Sequence, residues 1–150
     1  MNRLKLFLKA LMLIPTLAIA QNGVSIGQWR THLPYEKVIG VEPVGHKIYA
    51  ATEYELFYYD TEDNSINILN KINGLSDIGI STISYNKSQH KLFVAYTNAN
   101  VDLIDSDDEV TNMSDIKDKD IVGNKSINHV YFDGDLAYVA CAGRRCRHTR

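Results

Sequence analysis

Similar short apolar runs recur along this chain at a period of about 45 residues, and this repeat constrains the fold more than any other feature. The three most alike begin 44 and then 45 residues apart, at 48–51, 92–95 and 137–140. Related runs precede all three and follow the first two, at 38–41, 80–83, 127–130, 56–60 and 101–105. Self-similarity at a fixed period of this length is typical of solenoids and propellers.

The composition of these runs indicates β-strands. They are short and rich in Ile, Val, Tyr and Phe, which favours strands over helices. Turn-forming pairs such as Asn73-Gly74 separate them. The run at the centre of each unit is apolar at both alternating positions, as in strands that are covered on both faces. Each of these runs ends in an alanine (Ala51, Ala95 and Ala140), a small residue that fits where blades taper toward a central axis.

A unit of this length with four short strands matches the size of a propeller blade. We therefore predict an all-β fold, a partial β-propeller of about two and a half four-stranded blades over residues 21–143. A β-sandwich is the alternative, because short strands separated by regular turns also occur there. Two complete units and part of a third are too few to close a propeller. We therefore expect the chain to be the N-terminal piece of a larger binding protein.

The first twenty residues have the pattern of a secretory signal peptide rather than of a folded segment. A basic start containing Arg3, Lys5 and Lys9 precedes an uncharged apolar stretch at 10–20, which ends in the small residues of an A-x-A cleavage site. That stretch is too short to cross a hydrocarbon core of ~30 Å. We predict export, to the periplasm or the outer-membrane-associated surface of a Gram-negative bacterium, and no transmembrane segment in the mature chain.

The charge of the chain is unevenly distributed. Residues 21–143 carry nine Lys and Arg against eighteen Asp and Glu, a net charge of −9, although the whole chain has a formal net charge of −2. Nucleic-acid binding needs a basic face that contacts phosphates. The acidic central region therefore argues against a nucleic-acid partner.

The last seven residues, 144–150, break the repeat. An apolar strand is expected there, but the segment contains four of the six arginines in the chain. We predict an aberrant basic tail that does not belong to the fold and that comes from a truncated or shifted reading frame, since local pattern and fold normally agree. A basic interaction patch is the alternative.

Two short motifs resemble metal sites, but each lacks residues that the corresponding metal-binding pattern requires. Cys141 and Cys146 form a single C-x₄-C pair, whereas a structural zinc site needs a second pair. Export would permit a disulfide, but Cys141 is interpreted as a small buried residue. The acidic segment 105–109 begins like a calcium loop, yet Val110 and Ile116 stand where an EF-hand has Gly and Glu. We interpret it as a solvated acidic turn, with a weak calcium-binding loop as the alternative.

No residue pattern predicts catalysis. His46 and His90 occupy equivalent places in two repeats, which indicates a structural origin, and no Ser, His and acid arrangement has a recognisable context. Trp29 is expected to pack on the core, with a role as a binding anchor as the alternative. Asn86 and Asn124 begin Asn-Lys-Ser sequons that matter only in a host that glycosylates them. We therefore predict no catalytic, cofactor-binding or metal-binding residues, no cofactor, and no enzyme activity.

Three segments resemble one known family: QWRTHLPY at 28–35, KINGLSD at 71–77 and AYTNANVDLI at 95–104. Together they are similar to the N-terminal propeller of the PorZ-like components of the type IX secretion system of Bacteroidetes. The resemblance implies a surface-associated member of an attachment complex that links cargo proteins to a lipopolysaccharide anchor. It further implies binding of that glycolipid, work beside a sortase-like partner, and no catalytic residues in this region.

Three functions follow as hypotheses. The first is a non-catalytic binding or scaffold component of the type IX secretion attachment complex, with other proteins of that complex, a sortase-like one among them, and lipopolysaccharide as partners. The alternative is the periplasmic sensor propeller of a two-component regulator. A propeller enzyme such as a lyase or glycosidase is the third, and it lacks any argument from a site.

Overall fold

The computed structural model describes residues 37–120 and 123–142 in full and the backbone of 145–147, all within a unit that spans residues 34–150. The predicted signal peptide, Trp29 and the segment 28–35 lie outside the described residues. None of the described residues forms a helix long and apolar enough to cross a membrane.

Eleven strands and one short helix make up the described part of the chain, and the strands form three antiparallel sheets. The first blade contains β1 (Gly40–Val44), β2 (Lys47–Ala51), β3 (Leu56–Asp60) and β4 (Ile66–Leu69) in that order. The second blade contains β5 (Ile80–Asn86), β6 (Lys91–Tyr96), β7 (Val101–Ile104) and β8 (Val110–Met113). Helix α1 (Asp115–Asp118) follows, and the third blade contains β9 (Ile127–Asp133), β10 (Leu136–Cys141) and β11 (Arg145–Arg147) in the order β11-β10-β9.

The repeat predicted from sequence corresponds to these blades. Each predicted run overlaps the first, second or third strand of a blade. Within each blade, every strand pairs antiparallel with the next one along the chain. Two-residue turns close the first hairpins of the first and third blades, and each begins with a glycine at positive φ, Gly45 or Gly134. Residues that carry a Cβ atom rarely adopt a positive φ, which is why glycine occurs at these turns. The predicted partial propeller is confirmed.

The blades pack face to face, and β6 shows why its sequence is apolar throughout. Leu92, Val94 and Tyr96 belong to a core cluster shared with the first blade, with Tyr49 and Leu56 among its members. Successive side chains of a strand point to opposite faces. Phe93 and Ala95 therefore belong to a second cluster, shared with Ile127, Val130 and Val139 of the third blade. A strand between two cores has no face left for polar residues.

The three repeat alanines follow the same logic. Ala51 faces the second blade and Ala95 faces the third, and both are fully buried. Ala140 lies on the equivalent face of the third blade, which is turned away from the second, and it is exposed. Close packing between blades therefore explains the small residue at Ala51 and Ala95. Among the described residues, no neighbouring sheet covers Ala140.

Part of the basic tail pairs with the third blade. The backbone of β11 lies antiparallel to β10, with Arg145 opposite Ala140 and Arg147 opposite Tyr138. Three residues of the segment 144–150 thus occupy the place of a third strand. The interpretation of 144–150 as an aberrant tail from a shifted reading frame stays a prediction.

Candidate functional site

One end of the first two blades carries three connections that meet, namely residues 52–55, 70–79 and 97–100, which we call the linker surface. The Ile80 N–H donates to the Glu53 carbonyl at 2.8 Å, and the Thr97 N–H donates to the Gly79 carbonyl at 2.8 Å. The linker between the blades is therefore joined by its backbone to a hairpin of each. Gly79 has a φ of 79°, and a Cβ atom there would lie 2.8 Å from Thr97 Oγ1. Only glycine fits this junction without strain.

Asp102 of β7 holds the linker against the second blade from within. Its side chain is fully buried, and its Oδ2 accepts hydrogen bonds from the Ser76 N–H at 2.8 Å and the Tyr96 hydroxyl at 2.6 Å. Oδ1 accepts one from Asn112 Nδ2 at 2.7 Å. Burial and the bond to Asp102 raise the pKa of the Tyr96 hydroxyl, which therefore remains a donor at any physiological pH. A buried polar group whose hydrogen bonds are all formed holds the groups that bond to it in one arrangement.

Asp77 makes a second set of contacts at the exposed edge of the same surface. Its Oδ2 accepts from Asn98 Nδ2 at 2.6 Å and from Lys117 Nζ at 2.9 Å, and its Oδ1 accepts from the Ile78 N–H at 3.0 Å. Partial burial opposes ionisation, but these hydrogen bonds outweigh it and lower the pKa of Asp77 to about 2. The carboxylate is therefore a fixed negative charge that joins the linker, the β6–β7 turn and α1.

Exposed apolar side chains stand on the linker surface. Ile72 is 95% exposed, Tyr54 61% and Ile78 58%. Tyr54 directly follows Glu53, and Ile78 lies two residues before Ile80, and the backbones of Glu53 and Ile80 are hydrogen-bonded to each other. Among the described residues, Glu55 Oε2 is a buried carboxylate oxygen without a hydrogen-bond partner. No His or Cys occurs in residues 52–55, 70–79 or 97–100. The surface thus offers apolar contacts for binding, and its residues include no histidine or thiol for acid–base or nucleophilic chemistry.

The acidic turn between β7 and β8 holds the opposite end of the two blades together. Asp108 Oδ1 and Oδ2 each accept from Lys47 Nζ at 2.7 Å, and they also accept from the hydroxyls of Tyr49 at 3.0 Å and Tyr58 at 3.1 Å. Partial burial opposes ionisation, but these donors hold the pKa of Asp108 below its usual value. Burial and the Asp108 charge raise the pKa of Tyr58 to about 12. Segment 105–109 was interpreted as a solvated turn, and within it Asp108 is instead an ion-pair partner of the first blade.

A cavity of about 100 Å³ lies between the second and third blades. Its walls are mostly apolar and include Phe93, Leu103, Met113 and Phe132. The rings of Phe93 and Phe132 meet edge to face at 5.9 Å, as aromatic pairs in cores do. Asn86 of one sequon and Ile116 of the failed EF-hand pattern also line it. Most of the lining is apolar core side chains, so its chemistry is that of a gap in core packing.

The two equivalent histidines singled out in the sequence do not come together. Cys141 ends β10 and is half-buried, and the backbone of Cys146 in β11 lies opposite Val139 of β10. His46 lies beside Asp60 and Glu62 in the first blade, whereas His90 Nδ1 lies 3.3 Å from the Tyr85 hydroxyl in the second. The linker surface is built instead from residues that the sequence analysis had not marked as a site. The available signal was that two of the family-like segments, 71–77 and 95–104, supply most of it.

Three antiparallel blades packed face to face define a partial β-propeller. The sequence model of the family described as the N-terminal β-propeller domain of PorZ, type IX secretion system, matches residues 48–142, well over half of the chain. The chain belongs to this family, which confirms the resemblance inferred from the three segments.

Two solved structures are similar to this chain. One is PorZ of Porphyromonas gingivalis, described as an essential bacterial surface component of the type IX secretion system, at 28% identity and a TM-score of 0.64 over 69% of this chain. The chain spans only 14% of the length of that PorZ chain. The other is the C-terminal WD40 domain of Sif2, at 14% identity and a TM-score of 0.52, covering 72% of this chain and 32% of that one. At that identity the likeness shows the propeller fold alone. A search of curated proteins found no match.

Proposed function

We propose that this chain is a non-catalytic binding component of the type IX secretion attachment complex at the surface of a Gram-negative bacterium. The observation that carries the proposal is the family match over residues 48–142, together with the similarity to PorZ, itself a surface component of that system. The proposed partners are other proteins of the complex, a sortase-like one among them, and lipopolysaccharide. The first twenty residues, as a signal peptide, would direct export.

The linker surface is the part of the described chain that we assign to a partner. Its loops are fixed by the buried Asp102 and by Asp77, so a partner would bind a preformed surface at little cost in ordering. Exposed aromatic and aliphatic side chains such as Tyr54 and Ile78 are the usual anchors of interfaces.

The function is tested in the host with an epitope-tagged chromosomal gene. We expect the tagged protein in the outer-membrane fraction, and we expect deletion of the gene to release type IX cargo from the cell surface. Recovery with an inner-membrane kinase would favour the sensor propeller instead. Normal cargo attachment in the deletion strain would contradict the proposal.

The assigned surface is tested by co-purification of envelope proteins with the tagged chain. Tyr54→Ser combined with Ile78→Ser should reduce recovery of the partners severalfold, since anchor residues cost about 2 kcal/mol or more when truncated. Tyr131→Ser is the matched control, because Tyr131 is 62% exposed but lies in the third blade. Equal losses in both strains would show that binding does not use the linker surface.

A further inference from the structure

Three potential metal ligands meet at the end of the first blade opposite the linker surface. His46 lies in the β1–β2 turn, Asp60 ends β3, and Glu62 lies in the β3–β4 turn. His46 Nε2 is 3.4 Å from Asp60 Oδ2, and His46 Nδ1 is 3.8 Å from Glu62 Oε1. One ligand atom from each of the three residues lies within 4.8 Å of the others.

The backbone holds these residues in place. The Thr61 N–H and hydroxyl both donate to the His46 carbonyl, at 2.9 and 2.8 Å, which ties the two turns together. Asp60 Oδ1 accepts the Glu62 N–H at 2.9 Å, so that Oδ2 is the oxygen directed at the imidazole. Hydrogen bonds that orient a carboxylate in this way are a regular feature of metal sites, where they fix the ligand before the ion arrives.

The second blade shows that the repeat alone does not explain the cluster. His90, Asp105 and Asp107 stand at the equivalent positions, and Asp105 Oδ1 accepts the Asp107 N–H at 3.0 Å, as in the first blade. The first hairpin of the second blade has a four-residue connection, 87–90, where that of the first blade has two. His90 has a φ of 53° and directs its ring to Tyr85. The repeat therefore accounts for the carboxylate turn, and the short turn at 45–46 brings an imidazole to it.

We propose that His46, Asp60 and Glu62 form a divalent-cation site selective for a first-row metal of the Zn²⁺ type. Imidazole nitrogen suits such metals, whereas Ca²⁺ takes six to eight oxygen ligands. Zn–N and Zn–O bonds of about 2.0–2.2 Å place tetrahedral ligand atoms about 3.4 Å apart, and the His46–Asp60 separation is 3.4 Å.

Asp60 faces Nε2 of His46, whereas Glu62 lies nearest to Nδ1. One ion binds only one nitrogen of the ring, so the Glu62 carboxylate has to turn toward the Nε2 side to complete the set. The side chain of Glu62 is 74% exposed, so it can rotate toward the ion without disturbing the core. Two carboxylates and a neutral imidazole balance the charge of a divalent ion, and water would fill the fourth position. Binding would displace any proton held on the coordinating nitrogen.

Calorimetry of the purified, tag-free chain with ZnCl₂ is the first test. We expect one ion per chain and no comparable heat with CaCl₂. His46→Gln and Asp60→Asn should each weaken Zn²⁺ binding by at least about tenfold, since even indirect partners of a metal cost that much. His90→Gln is the matched control and should leave the affinity unchanged. Failure of the wild-type chain to bind Zn²⁺, or equal affinity in His46→Gln, overturns the proposal.

An NMR measurement on the wild-type chain avoids dependence on variants. Zn²⁺ should shift the ring resonances of His46 in a saturable manner and leave those of His90 in place. Unchanged His46 resonances at saturating Zn²⁺ would show that the cluster is an ion pair only. His46 is 44% exposed, so its replacement should preserve the far-UV circular dichroism spectrum, and this is the check that the variant folds.

Discussion

Replacing Asp102 by asparagine tests whether a buried carboxylate organises the junction between the first two blades. The substitution keeps the size of the side chain and exchanges one acceptor oxygen for an NH₂ donor. In the native chain both oxygens face donors: Ser76 N–H and the Tyr96 hydroxyl at Oδ2, and Asn112 Nδ2 at Oδ1. Either orientation of the new amide therefore places a donor against at least one donor.

The expected cost follows from the number of bonds affected. A hydrogen bond to a charged group contributes about 1.5–3 kcal/mol, and a buried donor left without a partner costs about 1–3 kcal/mol. Removing a buried charge recovers part of this, because the carboxylate no longer has to be kept from water. We expect Asp102→Asn to lower the free energy of unfolding by roughly 2–4 kcal/mol, a large fraction of the ~5–15 kcal/mol typical of a domain.

Urea unfolding followed by circular dichroism measures this change as a lower midpoint. Tyr96→Phe removes one donor and should cost about 1 kcal/mol, and the double variant should lose less than the sum because both changes affect one bond. Asp107→Asn is the control, since Asp107 is exposed in the β7–β8 turn and should stay within ~0.5 kcal/mol of wild type. A wild-type midpoint for Asp102→Asn, or strict additivity with Tyr96→Phe, would refute the reasoning.

Three further outcomes are expected. Lys47→Met should destabilise the chain by about 1 kcal/mol at pH 7, a figure discounted for the partial exposure of Asp108. The pKa of Asp108 is lowered in the fold, so protonation of Asp108 removes this contribution. The urea midpoints of the variant and the wild type should therefore converge as the pH falls below about 4. A carboxyl NMR titration should find that Asp77 keeps its charge until about pH 2. Its contribution to stability is then fully present above the ordinary pKa of 3.8 and is lost as the pH falls below that value. A measured pKa near 3.8 would contradict the contacts described. Gly79→Ala should lower the melting temperature more than Gly45→Ala. Both glycines have positive φ, but only the Cβ added at position 79 meets a neighbouring atom, at 2.8 Å. Equal losses would show that this close contact costs nothing.

The strands and their grouping into blades could be predicted because burial on both faces leaves a strong signal. The central strands β2 and β6 are continuous apolar runs, and their period of 44 residues is visible in the printed sequence. The outer strands β4 and β8 could not be located in the same way. Their residues are exposed or half-buried, so packing imposes no clear pattern on INIL or VTNM.

The side-chain contacts between loops could not be predicted because their partners are distant in sequence. Asp102 stands inside an apolar run, and nothing near it indicates that Ser76, 26 residues earlier, supplies an N–H to it. Asp108 stands in a run of acidic residues that resembles a solvated turn, and its partner Lys47 lies 61 residues away. Such pairs become visible only when the blades are packed face to face.

The two equivalent histidines show where the repeat stops being informative. His46 and His90 stand at matching positions, and each repeat follows with an aspartate whose Oδ1 accepts the N–H two residues later. The two hairpin connections nevertheless differ in length by two residues. As a result, the His46 ring lies beside carboxylates and the His90 ring lies beside a tyrosine. Repeat symmetry thus predicts backbone pairing reliably, because many residues enforce it. It does not predict the chemistry at a turn, since one or two residues in the loop decide which side chains meet.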